Sequence, residues 1–74
     1  MIKQLDDAKH RVKCTIEDLN EIQTELAAEK AVAHAKGYIS GLRYNQLIEH
    51  ADFKSLDGGL DIALSDWHRK HDVL

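Results

Sequence analysis

Proline is missing altogether, cysteine occurs once, at Cys14, and glycine is confined to Gly37, Gly41, Gly58 and Gly59. Each scarcity excludes something. A lone cysteine allows neither an internal disulfide nor a thiolate-rich zinc centre. With so few breakers, and with Ala, Leu, Ile, Glu, Lys and Asp dominant, the chain favours helix over sheet. Basic charge is also in short supply. A formal charge of −3 and a pI near 5.9 give no electrostatic reason to approach nucleic acid, and make a basic protein surface the easier target. No apolar run reaches the ~20 residues of a membrane span, and Asp6 and Asp7 interrupt the N-terminus where a signal peptide is basic and then apolar. A cytoplasmic protein without membrane contact is expected.

What is present is a stripe. Ile2, Leu5, Ala8, Val12, Ile16, Leu19, Ile22 and Leu26 follow one another at steps of three and four, the period of one helical face. Leu5, Val12, Leu19, Leu26 and Ala33 repeat every seven residues, as in a coiled-coil seam. Lys9, Thr15, Gln23 and Glu29 occupy flanking positions that a strong zipper fills with aliphatics, so the pattern leaves register and orientation open. Beyond Leu26 the face turns small, and Ala33, Gly37 and Gly41 lie four residues apart. Such a row lets helix backbones approach closely, whereas a glycine inside a helix costs about 1 kcal/mol against alanine. Gly37 is read as either a hinge or part of a close-packing row.

The expected fold is all-α. A long N-terminal amphipathic helix covers about residues 2–36, and a second helix or a continuation covers about 38–51. A turn follows over 52–59 around Asp57-Gly58-Gly59, anchored by Phe53 and Leu56, and then a C-terminal helix over about 60–71 with frayed final residues. Seventy-four residues make a single domain at most. A helix of ~35 residues is about 50 Å long, while a compact chain of this length has a radius of gyration near ~11 Å. The stripe is therefore expected to find cover on a second copy, giving a helical hairpin or bundle completed by homodimerisation. In an antiparallel pair Lys9, Arg11 and Lys13 would lie near the Glu21, Glu25 and Glu29 region of the other copy.

Chemistry is hard to find in the chain. Thr15, Ser40 and Ser55 lack a neighbouring histidine with a carboxylate behind it, and Cys14 has no nucleophile-base-orienter set around it. Gly58-Gly59 is followed by leucine and acid, not by the Lys and Ser or Thr of a phosphate loop. His68 and His71 lie three apart but lack a third fixed ligand, so neither metal nor cofactor is expected. His10, His34 and His50 are scattered. Glu17, Glu21, Glu25 and Glu29 recur at four-residue steps, either as a solvated face or as an acidic ridge for a basic partner, with Glu25 and Glu29 nearest the seam. Core packing is the first use for Tyr38, Tyr44, Phe53 and Trp67. Arg43 with Tyr44, and Trp67 with Arg69, also make candidate partner contacts, because Tyr, Trp and Arg are enriched at binding hot spots.

These residues point to a non-enzymatic protein-protein interaction module, a small dimeric regulator or inhibitor. The first alternative is a DNA-binding regulator with a helix-turn-helix in the second half, against which stand a long inter-helix interval and Asp61 and Asp66 on the reading helix. A further alternative is a helical oligomer holding a small ligand among Lys30, His34, Lys36 and Tyr38.

Overall fold

The computed structural model describes residues 2–71, with side chains from Gln4 onward. Among the described residues the chain forms three helices: α1 (Ile2–Leu19), α2 (Glu25–Tyr44) and α3 (His50–His71). The architecture is all-helical, and no helix among the described residues is long and apolar enough to cross a membrane.

The long first helix expected over 2–36 is instead two helices. α1 stops at Leu19, where Asn20, Glu21 and Ile22 donate to the carbonyls of Glu17, Asp18 and Leu19 in tightened three-residue turns. Thr24 then takes an extended conformation (φ −117°, ψ 147°), and its side-chain oxygen accepts from the Ala27 N–H at 3.2 Å. That is an N-cap, and Glu25 in the following turn suits the positive end of the helix dipole. The continuous Glu17 to Glu29 ridge disappears with the long helix. Glu17 stays on α1, Glu21 lies in the corner, and Glu25 and Glu29 belong to α2.

Gly37 neither bends nor ends a helix, because α2 runs through it and through Gly41. Its stop comes at Asn45 and is made by the backbone. Gln46 turns left-handed (φ 61°) and donates to Arg43 O at 2.9 Å, while Leu47 reaches back to Leu42 O at 2.8 Å. This pair of bonds is the Schellman arrangement, here with glutamine where glycine is usual. The second helix expected to run to Ala51 therefore ends at Tyr44. The turn expected over 52–59 is also corrected, because α3 starts at His50 and carries Asp57, Gly58 and Gly59 in its interior. Phe53 and Leu56 dock from within that helix, packing against the core.

The helices alternate in direction. Lys36 on α2 meets Asp57 and Asp61 on α3, and Glu25 meets His68, so α2 and α3 lie antiparallel. Arg11 stacks 4.9 Å above the Tyr38 ring, joining the middle of α1 to the middle of α2. The bundle is elongated, 44 × 17 × 14 Å with a radius of gyration of 12.7 Å. Its core is one apolar cluster: Ala8, Val12 and Leu19 from α1, Ala28, Val32, Ala35 and Ile39 from α2, and Leu60 and Trp67 from α3. Ile39 and Leu60 are the largest side chains wholly enclosed. The buried row of α1 is centred on Ala8, Val12, Thr15 and Leu19, which puts Leu5 and Ile16 at its half-buried edge.

Candidate functional site

The corner at residues 20–24 divides the apolar stripe into two parts with opposite fates. Ala8, Val12 and Leu19 are buried by α2 and α3, and Ile16 and Ile22 pack against the same core. Ile2, the first seam residue, has its side chain outside the described residues. The remainder of the seam faces outward: Leu26 is 68% exposed, and Ala33, Gly37 and Gly41 lie on the surface.

The cause is helical phase. At 3.6 residues per turn, Leu26, Ala33, Gly37 and Tyr44 fall within about 20° of one line along α2. Ala28, Val32, Ala35 and Ile39, which fill the core, occupy the opposite side. The outward line has bulk at its two ends, where Tyr44 is 87% exposed, and none in the middle. A methyl group added at Gly37 or Gly41 would meet nothing within 4 Å, so the chain itself does not use the room these glycines leave.

The other expected contacts separate in the same way. Arg43 is half-buried, and Arg69 is exposed beside Asp66 at 3.0 Å. Trp67 is corrected from contact candidate to core residue. It is buried, its Nε1–H donates to Ile22 O at 3.0 Å, and His71 stacks on its ring at 4.1 Å. The same histidine donates through Nδ1 to the Trp67 carbonyl at 3.0 Å, so His71 is not the companion of His68 that their spacing suggests. Asp72 and the remaining positions of the expected frayed end lie outside the described residues.

His68 instead turns toward α2. Its Nε2 lies 3.2 Å from Glu25 Oε2 and 3.8 Å from Glu29 Oε2, which joins the end of α3 to the start of α2. Sequence reasoning found all three residues but not their meeting, since the fold of the hairpin alone brings residues so far apart in the chain together. It also missed Lys36 as the tie between α2 and α3. Its amine hydrogen-bonds Asp61 and lies 3.5 Å from Asp57. The Asp61 bond, against some desolvation and with help from the Asp57 charge, holds the Lys36 pKa above its ordinary value.

Among the described residues, hollows flank the core. One, of about 250 Å³, lies beside Trp67 between Leu19, Ala63 and Lys70. The other, wider and of about 460 Å³, opens along α1 between Asp7, Arg11, Asp18 and Tyr38. There Cys14 Sγ lies 3.5 Å from His10 Nε2 on the adjacent turn. Of the residues expected to line a ligand pocket between subunits, Lys36 is engaged with α3, Tyr38 with Arg11, and Lys30 and His34 are exposed. Among the described residues α2 and α3 lie side by side along their length, whereas the helices of a helix-turn-helix cross at ~90–120°. Searches against family models, curated proteins and solved structures returned no match.

Proposed function

We propose that the chain is a non-enzymatic interaction module that pairs with a second copy through the outer face of α2 and, as a dimer, binds and modulates another protein. The observation that carries this reading is the line Leu26, Ala33, Gly37 and Tyr44, set opposite the core and left uncovered. The line is self-complementary. Two α2 helices laid antiparallel about the level of Ala35 bring Leu26 against Tyr44 of the second copy and Ala33 against its Gly37, so large ends meet large ends across a small centre. Small residues at the crossing permit an axial separation at the near end of the ~8–10 Å range for packed helices. Such pairing has the two-fold symmetry common to soluble homo-oligomers.

Light scattering at tens of micromolar should give about twice the 8.4 kDa chain mass. Ala33→Glu places a charge at the crossing and should return the mass to that of one chain while the helical signal in circular dichroism is retained. A wild-type monomer at those concentrations would overturn the dimer. The regulatory part is checked by copurification from source cells: a protein partner held by wild type and lost from Ala33→Glu supports it, and identical captures by the two forms count against it.

A further inference from the structure

We propose that Glu25, Glu29 and His68 form a binding site for a divalent metal ion of the zinc class, joining the first turns of α2 to the last turn of α3. This goes beyond the pairing of α2 faces and does not depend on it. One donor atom from each of the three residues lies within 4.8 Å of the other two. Bonds of about 2.0–2.2 Å to nitrogen and oxygen place neighbouring ligand atoms of a tetrahedral ion about 3.3–3.6 Å apart. The separations from His68 Nε2, 3.2 Å to Glu25 and 3.8 Å to Glu29, bracket that edge.

A second observation is independent of this spacing. His68 Nε2 is closed off from solvent yet makes no hydrogen bond, although a carboxylate oxygen lies at ion-pair distance. Charge points the same way. Glu25 and Glu29 are one turn apart, where like charges oppose each other. An imidazolium cancels one of them, and a dication cancels both.

The donor set selects the ion. One imidazole nitrogen and two carboxylate oxygens suit zinc and its borderline neighbours, whereas calcium and magnesium prefer oxygen alone. Three protein ligands leave a fourth tetrahedral position for water or for a donor atom from outside the chain. The site also closes the open end of the hairpin, so the ion would hold α2 and α3 together where no covalent link does.

Isothermal titration of the full chain with zinc chloride, after chelator treatment, tests the site. One ion per chain is expected, with at least a tenfold loss of affinity in His68→Asn. The double variant Glu25→Gln with Glu29→Gln should show the same loss. These glutamates are exposed, so the double variant keeps the fold and decides the question even if the histidine variant does not. Cobalt should give the visible absorption of a four-coordinate ion in wild type and not in the double variant. Cys14→Ser, which removes the His10–Cys14 pair, should bind as wild type does. The proposal is overturned if zinc does not bind, if binding survives the double glutamine variant, or if it is lost in Cys14→Ser.

Discussion

Leu19 and Leu26 are consecutive members of one heptad series, yet the first is enclosed by the bundle and the second stands in solvent. Between them lie five residues that leave the helix and rejoin it with the spacing of the apolar positions nearly undisturbed. Position in a pattern therefore does not fix which surface a side chain meets. The path of the backbone between two members of the pattern decides it, and one corner converts a long seam into half a core and half an exterior face.

The sharpest way to break that contrast is to truncate both residues. In an Ala33→Glu background, which isolates the single chain, Leu19→Ala should lower unfolding stability by about 2–5 kcal/mol. Leu26→Ala should stay within about 0.5 kcal/mol. Urea unfolding measures both, and equal losses would end the division of the stripe. A domain of this size is expected to have roughly 4–11 kcal/mol in total, so the first loss approaches unfolding.

The two glycine pairs sharpen the comparison next. None of the four has a neighbour within 4 Å of an added methyl, and all lie inside helices. Gly58→Ala and Gly59→Ala should each raise stability by about 0.5–1 kcal/mol and leave the mass in solution unchanged. Gly37→Leu should also be tolerated by the isolated chain, but it should abolish the dimer, since it fills the crossing. Light scattering beside thermal melts separates these outcomes.

Of similar or lesser size is the C-terminal cap of α2. Gln46 holds a left-handed conformation that costs an L side chain roughly 1–2 kcal/mol, so Gln46→Gly should recover up to about 1 kcal/mol. The smallest effect belongs to Lys36, whose exposed ties to α3 contribute about 0.2–1 kcal/mol. Its folded pKa lies above the ordinary 10.5, so the contribution is complete below that value and fades as pH rises through the folded one. Lys36→Met should flatten that alkaline decline in melts run from pH 9 upward.

Helix content and the inward identity of Val12 and Leu19 were legible because burial on one face writes its period into the sequence. The corner was hidden by the same periodicity: Leu19, Ile22 and Leu26 stay three and four apart across it. Thr24 was the available signal, a hydroxyl residue ahead of Glu25 and an alanine pair, which reads as a helix start. The stop at Asn45 was quieter, since its left-handed residue is not glycine. Gly58 and Gly59 misled in the other direction, because packing of Phe53, Leu56 and Leu60 on the core holds helix through two poor formers. No local signal announces the meeting of Glu25, Glu29 and His68.

The indole bond to Ile22 makes the chain its own gauge. Only one tryptophan is present, and it is anchored at once to the first corner and to the closing turns of α3. A shift of its emission to longer wavelength therefore marks the instant at which that corner and the end of α3 part, which gives ligand, metal and partner titrations an optical reading without any added label.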